Sequence, residues 1–214
     1  MMAVNGEDRS LWRDGVGYFC PGTPLASDAG MAAITAPRDH AKVRQDLEAA
    51  GYRGEKVVLL VAVDVLYLKL MGDVTADVFR RIGLNVDYQA VDWTTLVQRR
   101  IKMDPIEQGG WNAYVINDNG INQVNPAGHL WLRGNGRAAP PGWPTSPALE
   151  ALREEWFGAA SLAAQQAVAR RMQLQAFVDV PYIPLGQSVA PTAFRSDITG
   201  VLNGQPTFWN VRRA

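Results

Sequence analysis

His129 and Asp118 are the side chains whose types would suit general acid–base chemistry, an imidazole that titrates near neutral pH and a carboxylate to orient it. A hydrolase built on them would also need an activated nucleophile. The chain has no Gly-x-Ser-x-Gly elbow, no His-Glu-x-x-His helix, no paired cysteines and no phosphate-loop Gly-Lys-Ser. Gly134-Asn135-Gly136 is a lone Gly-x-Gly outside any strand-to-helix turn. His40, beside Asp39 and Lys42, reads as a solvated histidine on a charged helix face. Arg133 and Arg137 stand in a Gly-rich loop, where they could meet an anion or simply be solvated. Asn117-Asp118-Asn119-Gly120 has the composition of a tight turn. With two histidines far apart in sequence and one cysteine, Cys20, neither a transition-metal site nor an internal disulfide is expected. No cofactor is implied.

The elements that must carry these residues follow from periodicity. Val74, Val78 and Ile82 recur at helical spacing and Gly83 follows as a C-cap; the helix is expected to begin at Asp64, with Tyr67 and Met71 on the same stripe. Leu84, Val86, Tyr88 and Ala90 then alternate with polar residues, as in a half-buried strand. Asp92 can N-cap the next helix, with Trp93, Leu96, Val97 and Ile101 as its core stripe. Trp111–Ile116 reads as a further strand. Val57–Val63 is apolar on both faces, as a central parallel strand should be. Upstream, Pro37 suits the first turn of a helix burying Val43, Leu47 and Ala50 and closed by Gly51, and Glu7–Asp14 reads as a short helix. Phe19–Gly30 reads as a surface loop. Downstream of the Gly/Pro-rich stretch Arg133–Pro147, Ser146-Pro147 opens a helix burying Leu149, Leu152 and Trp156. A second helix runs from about Ser161 to Asp179, with Leu162, Ala169, Met172 and Ala176 apolar. Short strands are expected at Tyr182–Leu185, Val189–Phe194 and Thr207–Val211. Helices between strands of one sheet are crossover units, so the class is α/β with a mixed, mostly parallel sheet flanked by helices.

Lysine plus arginine equals aspartate plus glutamate, 21 against 21 in 214 residues, so charge gives no reason to expect nucleic acid or an anionic membrane as partner. The apolar run Val57–Val63 is far short of the ~20 residues of a spanning helix.

The run DVTADVFRRIGLNVDYQAVDWTTLVQRR, followed by WNAYVIND, resembles the extracytoplasmic solute-binding proteins of dipeptide, oligopeptide and nickel ABC transporters (family 5). PRDHAKVRQDLEAAGY with EKVVLLVAV is similar to that family's helix ending in Ala-Gly-Tyr and its next strand, and AAQQAVARRMQLQAFVDVPYIPL to its long helix and Pro-x-Ile-Pro-Leu strand. The resemblance implies a type II periplasmic-binding-protein-like lobe. It implies that residues 1–186 form the C-terminal lobe, that the chain crosses a hinge near Gly186–Ser188, and that 187–214 belong to a largely absent first lobe. Met1–Asp8 turns polar almost at once and carries no export signal, so a C-terminal fragment of a periplasmic protein is expected.

The function implied is substrate binding for an importer: a peptide or other small solute held between two lobes and delivered to a membrane permease, without catalysis. Asp118 matches the family's Asp that holds the ligand's ammonium group, with Asn117 and Asn119 beside it and Trp93 in the family's Asp-Trp pair. The residues by themselves favour packing for Trp93 and a turn for Asp118. Two departures stand out. Val115 and Ile116 replace the aromatic that peptide binders carry before that Asp, and Val61, Ala62 and Val63 replace the arginine that receives a terminal carboxylate in dipeptide binders. The alternatives from other classes are a free-standing hydrolase-like enzyme using His129 with Asp118, and a receptor or scaffold derived from such a lobe. A tail carrying Phe194, Phe208 and Trp209 is expected to lie uncovered and to pair with a second copy of the chain.

Overall fold

The structure is a computed structural model that describes residues 1–202, 204 and 207–214. Its centre is β2 (Lys56–Ala62), whose residues Val58 to Ala62 have no exposed surface, as the unbroken apolar run predicts. β3 (Asn85–Val91) pairs with it in parallel along its whole length, Lys56 opposite Asn85 through Ala62 opposite Val91. On its other side β4 (Ala113–Tyr114) is also parallel, with Leu59 opposite Ala113. The order is β3-β2-β4. Two short antiparallel pairs lie outside this sheet: β1 (Trp12–Arg13) with β5 (Gln187–Ser188), and β6 (Ile198–Thr199) with β7 (Arg212–Arg213).

β4 is shorter than the expected Trp111–Ile116. At its start the Asn112 side chain substitutes for ladder geometry: Oδ1 accepts the Val58 N–H at 2.8 Å while the Asn112 N–H donates to the Val58 carbonyl at 3.0 Å. The three strands expected after Asp179 are likewise replaced by the two-residue β5, β6 and β7, none within the expected limits.

Seven helices among the described residues complete the chain: α1 (Met2–Asn5), α2 (Ala32–Thr35), α3 (His40–Ala49), α4 (Leu66–Arg81), α5 (Trp93–Arg100), α6 (Pro147–Gly158) and α7 (Leu162–Asp179). α4 and α5 cover opposite faces of the sheet. Ala76 of α4 packs with Leu59, Val61 and Val115. Leu96 of α5 packs with Val58, Leu60 and Ala62 on the other face.

The phase of α4 differs from the expected one. Leu68, Gly72 and Ala76 face inward, while Tyr67, Val74 and Val78 are exposed. Gly72 explains the choice. A β-carbon there would sit 2.4 Å from a Val61 methyl, so helix and strand approach through a small residue that a hydrophobic stripe does not reveal. The expected stripe of α5 reduces to Leu96, with Trp93 and Ile101 exposed. α3 starts at Asp39, whose carboxylate caps it, rather than at Pro37, and buries no side chain fully. The helix expected over Glu7–Asp14 gives way to a single tight turn at Arg9–Leu11, because Asp8 accepts the Ser10 N–H at 2.9 Å and then β1 begins.

A second core joins the N-terminal segment to α6 and α7. Tyr18, Phe19 and Leu25 pack with Leu132, Leu149, Trp156, Val168, Met172 and Ala176. Phe19–Gly30 is thus irregular but not superficial. Gln173, fully buried on α7, fixes it: its carbonyl oxygen accepts the Tyr18 N–H at 3.1 Å, and its amide donates to the carbonyls of Ser27 and Ala29 at 3.0 and 2.7 Å. Of the apolar positions expected in α7, Ala169, Met172 and Ala176 are buried and Leu162 is exposed. Phe194, Phe208 and Trp209 of the tail stand exposed, Trp209 at 87%.

Candidate functional site

In open parallel α/β sheets, ligands bind beyond the carboxyl ends of strands where successive connections leave in opposite directions. Here β2 connects through α4 to one neighbour, and β3 connects back through α5 to the other, so that point lies between β2 and β4. The segments that emerge there are Val63–Tyr67 after β2, Asp92–Trp93 after β3 and Val115–Asn119 after β4. Hydrogen bonds tie them into one rim. The Tyr67 hydroxyl donates to Asn117 Oδ1 at 2.9 Å, and Asp64 Oδ1 accepts the Trp93 N–H at 2.8 Å. Asp64 therefore does not cap α4, as expected, but holds the first turn of α5. Asp92 caps the same helix by accepting the Thr95 N–H at 2.9 Å, as its position predicts.

Asp118 is half-buried and occupied by three neutral donors. Oδ1 accepts the Asn119 N–H and the Asn122 amide, both at 2.7 Å; Oδ2 accepts the Trp131 indole N–H at 2.9 Å. This is turn chemistry, and it also orients a carboxylate that no lysine, arginine or histidine approaches within ion-pair distance among the described residues. An ionised carboxylate has about four acceptor positions, so capacity for a further donor remains. Asn117 and Asn119 are exposed beside it, and Trp93 stands at the rim with 36% exposure rather than in the core. Sequence reasoning missed Trp131, Tyr67 and Asp64. Tyr67 had been absorbed into the wrong helix phase, and nothing local in the sequence connects Trp131 to Asp118.

His129 is 1% exposed. Its Nε2 lies 2.8 Å from the Tyr18 carbonyl and 3.1 Å from the Tyr182 hydroxyl. A carbonyl only accepts, so Nε2 carries the proton and the bare Nδ1 faces the interior without a partner. The ring makes no hydrogen bond to Asp118, and burial keeps it from any substrate, so the His129–Asp118 pair of the enzymatic alternative is not assembled. Desolvation lowers its pKa from 6.5 to about 4, against the opposing pull of the Tyr18 carbonyl and the Asp118 charge. The unfolded chain therefore takes up a proton below about 6.5 that the folded protein refuses until about 4. Stability must fall as pH drops through that window and level off, for this group, beneath it. The loss is on the order of 3 kcal/mol from the histidine alone. Thermal unfolding from pH 7 to 4 should show that slope, and His129→Gln should remove most of it.

Arg133 is not available to a ligand. It pairs with Glu150 through Nε at 3.0 Å and Nη2 at 2.8 Å, and Glu150 also accepts the Gly134 N–H at 2.7 Å. Burial pushes Glu150 upward, but these donors outweigh it and its carboxyl ends below the usual range. Both side chains are about a quarter exposed, and the pair pins the Gly-rich loop to α6. A surface hollow of about 240 Å³ lies at the other end of the sheet, between Glu55, Lys56, Asp87, Gln89, Ile106 and Glu107. It is open and mostly charged, unlike the largely apolar clefts that enclose small solutes. Among the described residues no cluster of histidine, cysteine and carboxylate could hold a metal, and no helix is long and apolar enough to cross a membrane.

No protein-family model matches the chain. A Sinorhizobium fredii protein named "Probable peptide ABC transporter periplasmic-binding protein" is 36% identical over 207 residues, covering 92% of this chain and 39% of its own length. Among solved structures, the dipeptide binding protein from Pseudoalteromonas sp. SM9913, in complex with Met-Leu, superposes with a TM-score of 0.71 at 15% identity, over 100% of this chain and 42% of that one. The ABC transporter substrate-binding protein CtaP from Listeria monocytogenes gives 0.71 at 14%, over 87% and 37%. The chain thus spans about two fifths of the length of the proteins it matches. Over nearly all of its residues the chain is thus similar in sequence to part of one protein named as a peptide-transporter binding protein, and it shares the fold of part of the solved substrate-binding proteins.

Proposed function

We propose that the chain supplies one lobe of the substrate-binding component of an ABC importer, acting outside the cytoplasm, without catalysis of its own, and handing its solute to membrane permease subunits. The kinship with a peptide-transporter binding protein supports the class. The observation that carries the site is the Asp118 carboxylate: fixed by neutral donors, lacking a cation, and placed beyond the carboxyl ends of the sheet. It suits the ammonium group of an amine-bearing solute. Asn117, Asn119 and Trp93 form its surroundings. The division into residues 1–186 and 187–214 is part of the same proposal. Support comes from β1 and β5, which run side by side where the chain enters and leaves the body, Trp12 opposite Ser188, as paired hinge strands would.

The test is Asp118→Asn in the full-length protein, with affinity measured calorimetrically for an amine-bearing solute and its N-acetylated analogue. The amine form should lose ~2–5 kcal/mol, the usual cost of truncating one partner of a desolvated charge pair. The acetylated form should lose almost nothing. The substitution also presents an amide to three donors, so a stability cost of ~1–3 kcal/mol accompanies it, and affinities are to be compared well below the variant's melting temperature. Equal losses for both forms, or none, would leave Asp118 as a turn residue.

A further inference from the structure

Three stretches of chain far apart in sequence meet on the buried ring of His129. Its Nε2–H can donate to the Tyr18 carbonyl at 2.8 Å and to the Tyr182 hydroxyl oxygen at 3.1 Å. Tyr18 follows β1 by five residues, and Tyr182 precedes β5 by five. The two tyrosines are themselves clasped. The Tyr18 hydroxyl shares its proton between the Ala176 and Tyr182 carbonyls, and the two rings meet edge to face with centres 4.9 Å apart. β1 and β5 are extended by one further bond, from the Val189 N–H to the Leu11 carbonyl at 2.7 Å. On its other side His129 belongs to the loop of the site. Its carbonyl accepts the Leu132 N–H at 3.2 Å and opens the tight turn Leu130–Leu132, in which Trp131 holds Asp118 at 2.9 Å. A second tie runs beside the first: the Cys20 N–H donates to the Gln123 carbonyl at 3.0 Å, and the Gln187 amide donates to Cys20 Sγ at 3.3 Å. The crossing has no slack, since a β-carbon on Gly120 would lie 2.9 Å from Cys20 Sγ.

We propose that His129 is a positioning residue that sets the register between the loop carrying Asp118 and the strand pair β1/β5, so that a change at the carboxylate is felt at the pair. It touches no solute. It acts through Trp131 on one side and through Tyr18 and Tyr182 on the other. Moving Trp131 with Asp118 turns Leu130–Leu132 and draws the imidazole off the Tyr18 carbonyl. Leaving that carbonyl and the ring N–H unpaired in a buried place is costly, so loop and strand pair shift together rather than separately. The inference rests on the solute-binding reading and adds the bonds by which an event at Asp118 reaches the place where the chain enters and leaves the body.

Hydrogen exchange in full-length protein, without solute and well below its melting temperature, tests this. The probe is the Val189 N–H, and the amides of β2 record global unfolding. Asp118→Asn should speed exchange at Val189 roughly tenfold relative to β2, a coupling of the size that networked residues show. In a His129→Phe background, which keeps an aromatic ring but no donor, the same substitution should add less than about twofold. His129→Gln, whose amide can still donate to both oxygens, should restore the coupling. A merely structural histidine would give a less stable His129→Phe protein in which Asp118→Asn still acts in full, and that result overturns the proposal. So does a wild-type background in which Asp118→Asn leaves Val189 unchanged. Coupling lost equally in His129→Gln overturns it as well, because the bond would then not be the cause. If His129→Phe does not fold, Tyr182→Phe, which deletes only the hydroxyl beside the ring, replaces it; an undiminished effect of Asp118→Asn there is equally fatal. Since no solute is present, a positive result stands even if the protein binds no amine-bearing peptide, and that separate failure would retire the solute at Asp118 alone.

Discussion

Gln173→Leu should cost the protein ~3–6 kcal/mol, enough to bring an ordinary domain close to unfolding. The side chains are similar in size, so the effect isolates polarity. Leucine would leave the Tyr18 N–H and the carbonyls of Ser27 and Ala29 without partners in a region closed to water. Each buried unsatisfied group costs ~1–3 kcal/mol. Tyr18 would lose its anchor although its hydroxyl still shares its one proton between the Ala176 and Tyr182 carbonyls, each at 2.9 Å. Equilibrium denaturation checks this, and proteolysis should show residues 12–30 released first. A loss below ~1 kcal/mol would mean that the N-terminal segment is held by its apolar contacts alone.

Gly72→Leu should be nearly as damaging, at ~3 kcal/mol or more, for an opposite reason: too much matter instead of too few bonds. The β-carbon alone would lie 2.4 and 2.6 Å from the two Val61 methyls, and Val61 is a fully buried, β-branched residue of the central strand with no room to turn aside. α4 would have to move away from β2, opening the core around Ala76. Leucine has the better intrinsic helix propensity by ~0.8 kcal/mol, which only partly offsets the strain. Val61→Ala, harmful alone, should relieve part of the damage in the double variant. Additive losses would contradict the proposed contact.

These two positions also show where the sequence was legible. The order of strands and helices from Lys56 to Tyr114 could be read because apolar runs, caps and glycines act locally: Asp92, Ser146 and Gly83 do what their neighbours predict. Helix phase was not legible, because a glycine facing the sheet is indistinguishable in sequence from a glycine facing water. The second core was missed for a related reason. A proline- and glycine-rich segment looks superficial unless the glutamine that satisfies its backbone, far along the chain on α7, is known. At the site, Asp118 is found by resemblance, but its donors Asn122 and Trp131 lie in two later segments, and no local pattern announces their contact with it.

A solute-binding lobe of this kind should carry its solute on the rim that contains Asp118. Denaturing mass spectrometry of small molecules released from full-length protein, purified from its native compartment, tests this most directly. The wild type should release one amine-bearing solute in near-stoichiometric amount, and Asp118→Asn, folded and prepared identically, should release little or none. Equal amounts from both proteins, or no solute from a wild type that also fails to bind amine-bearing peptides, would mean that Asp118 holds no solute.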